Sequence, residues 1–283
     1  MNESLTTYLK QLTAAPVDPV ISTIAKQVMK THPGAEVVLA YGSALRDSSP
    51  ADTLIDLYVL TKDFAGVSSN IFSRIGCRLV APNVYFAECR VEDKIYRAKY
   101  AVLPLRQFVK RVSSATGNPY FWARFAQPSR IVWAVDEGAR TSALQAIATA
   151  TRTAFAHAKA LSSNDPWIIL FQNTYRTELR PESIDRARMI VQANAAHYDS
   201  ISANTHVEPI KANWALKRLQ GKGLSVLRLM KAAFTFQGGA DYIAWKIQRH
   251  SGVEIKVTDF QRRHPLIAAI TLAPMLIKRG AVK

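Results

Sequence analysis

The sequence predicts an α/β (α+β) N-terminal domain followed by a mostly helical C-terminal region. Three observations predict this fold class. Short runs rich in β-branched and large apolar residues recur over the first third of the chain. From about Leu103 onward, helical patterns dominate. The chain of 283 residues is long enough for two domains, or for one domain with a large extension.

The first element is a helix predicted at 18–31, because Asp18 is a good N-cap, Pro19 suits the first helical position and Pro33-Gly34 ends it. Strands are predicted at 36–41, 54–60, 83–89, 95–102 and 131–135. Further helices are predicted at 104–112, 138–162, 164–175, 182–202, 224–234 and 239–250. The cluster SSNDP at 162–166 predicts a turn.

These elements divide the chain into three parts: an α/β domain over 1–135, a helical domain over 136–205 and a helical C-terminal region over 206–283. Within the last part, PLIAAITLAPMLI at 265–277 is apolar and has basic residues on both sides. It is too short to span a bilayer, which takes roughly 20 apolar residues. It therefore predicts either a core helix or a segment that lies on a membrane surface.

The charge of the chain is strongly positive. It has 37 Lys+Arg against 21 Asp+Glu, a formal net charge of +16. A fold does not require this excess, so it indicates an anionic partner such as nucleic acid, nucleotide phosphates or an anionic membrane.

Cys77 and Cys89 show no metal-ligand spacing, and the N-terminus resembles neither a secretory signal nor a myristoylation site. A cytosolic-type compartment is the expectation.

The stretch VVLAYGSALRDSSPADTLIDLYVLT at 37–61 carries the chemistry. A strand that ends in Gly42-Ser43, then a loop, then a strand that holds Asp56 is typical of the nucleotidyltransferase (polymerase-β-like) signature. Gly42 lets the backbone approach phosphate oxygens, and Ser43 adds a hydroxyl and an N–H. The Asp56 carboxylate is a ligand that Mg²⁺ prefers. The alternative is a hairpin loop with one capping aspartate.

The signature usually has two acids separated by one apolar residue, and here the second acid is missing. Leu54 and Tyr58 occupy the two positions where it could stand. Three other acids could supply it after folding: Asp52, Asp63 and Glu88. We favour Glu88 as the second metal ligand, because its strand could pair beside the strand that holds Asp56.

Four blocks of sequence resemble the mitochondrial-type phosphatidate cytidylyltransferases (CDP-diacylglycerol synthases). In order, they are AYGSAL with IDLYVLTKDF, VYF with KYAVLPL, YFWARFAQPSRIVWA, and NTYRTELRPESIDRARMIVQAN. The likeness covers roughly residues 37–200. Ala44 stands where that family usually has a second glycine, and Thr177-Glu178 replaces a Gly-Asp pair. The resemblance implies a nucleotidyltransferase-like fold for the N-terminal domain.

The resemblance also implies a reaction: CTP and phosphatidic acid give CDP-diacylglycerol and pyrophosphate, with Mg²⁺ as cofactor. In this reaction Gly42 and Ser43 would bind the triphosphate, Asp56 would bind Mg²⁺, and Lys99 would neutralise phosphate charge. The other substrate-binding candidates are Tyr175, Glu178, Arg180 and, more weakly, Arg186.

The expected partners are CTP, phosphatidic acid and an anionic membrane surface, with no nucleic acid. The expected location is peripheral, on the cytoplasmic face of a bacterial inner membrane, with the matrix face of the mitochondrial inner membrane as the lesser alternative.

Two other functions stay open at this point. One is nucleotidyl transfer to a sugar phosphate or an RNA end. The other is non-catalytic binding on a degenerate nucleotidyltransferase scaffold. The sequence makes no prediction of oligomeric state.

Overall fold

The structure is a computed structural model, and it describes residues 4–45, 54–178, 184–235, 244, 248 and 257–263. The predicted membrane-surface segment at 265–277 lies outside the described residues, as does nearly all of the helix predicted at 239–250. Within the described part, no helix is both long enough and apolar enough to cross a membrane.

The described elements follow one another from the N-terminus in this order: α1 (Leu5–Ala14), α2 (Pro19–Met29), β1 (Ala35–Tyr41), a 3₁₀ turn (Ser43–Leu45), β2 (Ile55–Thr61), α3 (Ile71–Leu79), β3 (Asn83–Val91), β4 (Lys94–Pro104), α4 (Leu105–Arg111), α5 (Trp122–Phe125), β5 (Ser129–Ala134), α6 (Glu137–Lys159), α7 (Pro166–Tyr175), α8 (Ile184–Ala193), α9 (Ala195–Asn204), α10 (Trp214–Thr235) and a short helix (Asp259–Arg263).

The strands form one mixed sheet in the order β3-β4-β2-β1-β5. β2 runs parallel to β4, and the other neighbouring pairs are antiparallel. The middle strands β1 and β2 are almost wholly buried, which explains why their sequences are nearly continuous apolar runs. The predicted mixed α/β class is therefore present in the first 135 residues.

One face of the sheet is covered by an aromatic cluster that belongs to the connecting helices. The ring of Tyr58 on β2 meets Phe125 of α5 edge-on at 4.9 Å, and Phe125 meets Phe108 of α4 at 4.7 Å. All three rings are fully buried. Edge-to-face contacts of this kind add to the hydrophobic gain of burial. The cluster fixes the one-turn helix α5 on the sheet.

The helix cap that the sequence predicts at Asp18 is formed, and the structure adds a second one at Asp136. The Asp18 side chain accepts a hydrogen bond from the Val20 N–H at the start of α2, and Asp136 accepts one from Ala139 N–H at the start of α6. The buried residues of α6 are mostly alanines, so this helix packs closely on its neighbours. They belong to the same hydrophobic cluster as the strands.

Several helices differ from the prediction. The single helix predicted at 182–202 is divided at Asn194 into α8 and α9, and the Asn194 side chain donates to the Ile190 carbonyl at 2.8 Å. That bond competes with the helical backbone, as asparagine often does. α10 is longer than the predicted 224–234. Three further helices, α1, α3 and α5, were not predicted from the sequence.

Candidate functional site

The end of β1 brings Gly42 against Asp56. Tyr41 pairs with Asp56 across β1 and β2, and the next residue, Gly42, has φ +86°. A Cβ at Gly42 would lie 3.1 Å from the Asp56 Oδ2 atom. Only glycine combines this backbone angle with so close an approach. The glycine bend and the carboxylate, which the sequence analysis treated as parts of one signature, are thus neighbours.

Asp56 lies partly buried beside two cations. In the β2–β4 register it pairs with Lys99, so both side chains are on the same face of the sheet. Burial raises the pKa of Asp56 above its usual range, while the charges of Lys99 and Arg124 oppose that rise. In the part of the chain that the structure describes, no group donates a hydrogen bond to its carboxylate.

Arg124 is presented by α5, whose position the aromatic cluster fixes. Its Nη1 atom donates to the Tyr58 hydroxyl at 3.2 Å, and its guanidinium carbon lies 4.3 Å from the centre of the Tyr120 ring. Its Nη2 atom is 4.0 Å from the Glu178 Oε1 atom. A stacked and hydrogen-bonded guanidinium is held in one orientation, which suits the binding of an anion.

Helix α10 contributes a third cation, Arg228. The guanidinium of Arg228 lies 3.9 Å from the Tyr120 ring centre, and its Nε donates to the Ala81 carbonyl at 3.4 Å. Burial would raise the pKa of the Tyr120 phenol, but the charges of Arg124, Arg228 and Lys99 lower it below its usual value. We call Lys99, Arg124 and Arg228 the cation cluster.

A small cleft opens beside the cation cluster. It is lined by Pro119, Tyr120, Ala123, Arg124, Gln127, Thr174, Tyr175, Thr177 and Glu178. Two substrate-binding candidates from the sequence, Tyr175 and Glu178, therefore lie at this cleft. Arg124 connects Glu178 to Tyr58 of β2.

The chemistry of this site suits an anionic ligand that carries a metal ion. The cation cluster supplies positive charge in a partly buried place, where electrostatic interactions are stronger than in water. Asp56 supplies an oxygen ligand of the kind Mg²⁺ prefers. Within the described residues, no group of three or more His, Cys, Asp or Glu side chains that could hold a metal ion is found. Phosphate oxygens of a ligand would have to complete the coordination.

The structure does not bring Glu88 to Asp56. The expectation that its strand pairs beside β2 is wrong, because β4 lies between β3 and β2. Glu88 instead accepts a hydrogen bond from Arg97 Nε at 2.8 Å. Since Arg97 is the residue opposite Glu88 on β4, the pair is a cross-strand ion pair near the sheet edge.

The other candidates are placed as follows. The Asp63 carboxylate accepts from the N–H groups of Ala65 and Gly66. It lies beyond Thr61, the end of β2, which is itself about 17 Å along the strand from Asp56. Arg186 lies on α8 and is not among the described residues that line the small cleft. Asp52 and Arg180 lie outside the described residues.

Sequence reasoning missed Tyr120, Arg124 and Arg228 as site residues. The first two fall within a block, YFWARFAQPSRIVWA, that was quoted for its resemblance but yielded no candidate. The available signal was an aromatic residue just before α5 and an arginine four positions later, since two such side chains can stack. Arg228 is one of many basic residues on α10 and carried no local signal.

A second and larger cleft, of about 410 Å³, lies at the opposite end of the sheet. It is lined by residues that precede β1 and follow β2, among them His32, Ser68 and Arg74, and by Tyr85 and Tyr100. It does not adjoin Asp56, so we do not include it in the candidate site.

No protein-family model and no curated protein matches this chain. One solved structure, described as a nucleotidyltransferase-like protein from Exiguobacterium sibiricum, is similar over 91% of this chain and 90% of that chain, with 14% sequence identity. Its TM-score is 0.26, which is too low to support a conclusion about fold or function.

Proposed function

We propose that this chain is a Mg²⁺-dependent nucleotidyltransferase that transfers CMP from CTP to phosphatidic acid and releases pyrophosphate. One observation carries the proposal: the Asp56 carboxylate lies directly against Gly42, on the sheet face that also holds Lys99. The resemblance of four sequence blocks to phosphatidate cytidylyltransferases supplies the choice of nucleotide and acceptor. The remaining site residues support a phosphate-binding role.

The residues present fit a magnesium ion. Asp56 offers carboxylate oxygens that no described hydrogen-bond donor occupies, and burial of the ionised carboxylate is costly even beside Lys99 and Arg124, since its pKa is raised. When bound, Mg²⁺ would neutralise phosphate charge and orient the reacting oxygens. Asp56 would hold the ion in the proposed enzyme. The backbone at Gly42 and Ser43 would bind the triphosphate.

The cation cluster would supply the rest of the electrostatic stabilisation. Phosphoryl and nucleotidyl transfers depend mainly on positioning and charge neutralisation, with little covalent chemistry for the protein. Arg124 and Arg228 lie against the Tyr120 ring, and Lys99 is near enough for its charge to lower the pKa of that phenol. These three cations would compensate the charge of the triphosphate and of the departing pyrophosphate. In this proposal the lipid phosphate attacks the α-phosphorus of CTP.

The test is an assay with CTP labelled in its α-phosphate, phosphatidic acid in mixed micelles, and Mg²⁺. We expect a lipid-soluble labelled product from the wild-type protein. The Asp56→Asn variant should lose about 10²-fold or more of that activity, as other losses of transition-state stabilisation do. The matched control is Glu137→Gln, an exposed acid in the first turn of α6, which should retain activity. Full activity of Asp56→Asn would overturn the proposal.

A non-catalytic nucleotide-binding protein is the second candidate. The observation that favours it is that neither Glu88 nor Asp63, the two described acids expected to supply a second metal ligand, lies near Asp56. This candidate predicts that the protein binds CTP, as isothermal calorimetry would detect, and yields no labelled product with any acceptor. A product with RNA or a sugar phosphate in the same assay would identify the same chemistry with a different acceptor.

A further inference from the structure

Helix α3 turns an apolar face outward. Four large apolar residues lie on this face: Ile71, Phe72, Ile75 and Leu79. Phe72 is 78% exposed and Leu79 is 69% exposed. The opposite side of the helix is the buried one, where Ser73 and Cys77 face the protein. A helix that points its apolar side at the solvent departs from the usual pattern and indicates an interaction site.

The rim of this apolar face is positively charged. Arg74 and Arg78 are four residues apart, so they lie on one side of the exposed face. Arg74 is positioned by hydrogen bonds from its Nε and Nη2 atoms to the carbonyls of Ser68 and Ser69. Neither α3 nor α10 contains a single acidic residue. The surface is therefore both apolar and cationic.

Helix α10 extends this surface and connects it to the candidate site. The Lys231 side chain packs on Gly76 of α3, and its Nζ donates to the carbonyls of Val80 and Pro82. Leu227 and Met230, on either side of Arg228, are exposed. Because Arg228 contacts Tyr120, the helix that carries the exposed apolar groups also carries one cation of the cluster. We call α3 and residues 227–231 the α3–α10 surface.

We propose that the α3–α10 surface docks on an anionic lipid bilayer. Phe72 and Leu79 would enter the boundary between headgroups and acyl chains, while Arg74 and Arg78 contact lipid phosphates. This inference rests on the proposed function, because it explains how the site reaches a phospholipid acceptor that stays in the membrane. The proposed membrane contact lies on α3 and α10, whereas the membrane-surface segment suggested by the sequence lies at 265–277.

The charges favour a bilayer over other occupants. In a symmetric dimer through this face, Arg74 and Arg78 would meet a copy of a surface whose two helices contain no acidic residue, so their charges would find no partner. Nucleic acid would satisfy the arginines but would leave Phe72 and Leu79 against phosphates. A membrane with anionic headgroups satisfies both kinds of group at once, because it offers phosphates above and hydrocarbon below.

The test is co-sedimentation of the full chain with vesicles of phosphatidylcholine and 30 mol % phosphatidylserine, without CTP or phosphatidic acid. We expect the wild-type protein to sediment with these vesicles and to remain largely in the supernatant with vesicles of pure phosphatidylcholine. The double variant Phe72→Ser/Leu79→Ser should bind at least about 10-fold more weakly, because both side chains are exposed and supply the apolar contact. The control Val135→Ser changes an apolar residue that is 54% exposed and follows β5, and it should bind like the wild type.

Two results would overturn the inference: no binding of the wild-type chain to the anionic vesicles, or unchanged binding of the double variant. Light scattering would reveal a dimer that forms with rising concentration. If the double variant abolishes that dimer and the control variant does not, the partner of this surface is a second copy of the chain and not a bilayer. Thermal melting of each variant shows that the fold is intact.

Failure of this inference can be separated from failure of the proposed function. Vesicle binding is measured without any turnover, so a chain that binds vesicles but forms no labelled lipid refutes the function alone. If both proposals hold, the double variant loses turnover of phosphatidic acid embedded in vesicles. It keeps turnover of a soluble, short-chain phosphatidic acid, because the catalytic residues are unchanged.

Discussion

Gly42 is the residue on which the geometry of the candidate site depends. Its positive φ turns the chain out of β1, and its missing side chain leaves room for the Asp56 carboxylate. Gly34, at the other end of the same strand, also has a positive φ of +72°, but a Cβ there would meet only Lys62 Cβ at 3.8 Å. Substitution of Gly34 therefore introduces backbone strain alone, whereas substitution of Gly42 introduces strain and also crowds the Asp56 carboxylate.

The first prediction compares Gly42→Ala with Gly34→Ala. Each variant should lose about 1–2 kcal/mol of unfolding free energy, because alanine is strained at a positive φ. Only Gly42→Ala should also lose Mg²⁺-dependent CTP binding, since its methyl group displaces the Asp56 carboxylate. Urea unfolding and isothermal calorimetry measure the two effects. Equal losses of CTP affinity in both variants would contradict the structural explanation.

The second prediction concerns the stability of Asp56→Asn. Burial raises the pKa of Asp56 in the folded state. The folded state thus binds more protons than the unfolded chain, and stability decreases as pH rises above the unfolded pKa near 3.8. The neutral asparagine avoids this loss, so the variant should melt at a higher temperature than the wild type at pH 7 without metal. The difference should shrink as pH falls toward the unfolded pKa, as calorimetric scans at several pH values would show.

At the scale of elements, α10 determines whether the cation cluster is complete. This helix approaches the end of α7 so closely that a Cβ at Gly221 would lie 2.5 Å from the Thr177 carbonyl oxygen. Two basic residues of α10 then have different environments. Arg228 contacts the Tyr120 ring, while Arg218 donates to the Asn173 amide oxygen at 3.3 Å.

The third prediction uses this difference. Arg228→Gln should weaken CTP binding by about 10-fold, because it removes one full charge from a partly buried anion site. Arg218→Gln removes the same charge from the same helix and should change the affinity much less. Calorimetric titration of CTP into each variant measures the affinities. Equal weakening by both variants would show that long-range charge, rather than contact at the cluster, attracts the nucleotide.

The elements differ in how well the sequence predicts them. All five strands were predicted, because their apolar runs reflect burial in the sheet. α3 was missed although Ile71, Ile75 and Leu79 recur at helical spacing, and no local pattern shows that this apolar face points away from the core. The register placed Gly42, Asp56 and Lys99 together as the sequence suggested. Glu88 was misplaced, because strand order in a sheet depends on long-range pairing that no local pattern encodes.

At the scale of the whole molecule, one buried cluster joins residues from α1 to α9. His197 of α9 illustrates the connection. Its Nε2 donates to the Ala126 carbonyl at 3.0 Å, and its Nδ1 accepts from the Tyr8 hydroxyl at 2.8 Å. Burial lowers the pKa of His197 to about 4. His32 and His157 are also buried, and burial lowers the pKa of each.

The fourth prediction follows from these histidines. An unfolded histidine binds a proton near pH 6.5, whereas folded His197 stays neutral down to about pH 4. The unfolded state therefore binds more protons in that interval, and stability decreases as pH falls through it. His197 alone should account for about 3 kcal/mol. Equilibrium unfolding between pH 7 and 4.5 should show a shallower pH dependence for His197→Gln. The exposed control His206→Gln should keep the wild-type slope.

The wide separation of Lys99, Arg124 and Arg228 along the chain has a consequence during translation. The glycine bend and its aspartate leave the ribosome early, but the last arginine follows only after α10 has been synthesised. A nascent chain with a folded sheet therefore lacks one of the three positive charges. In the proposed enzyme, full affinity for the nucleotide would therefore arise only once α10 has been synthesised and packed against Tyr120.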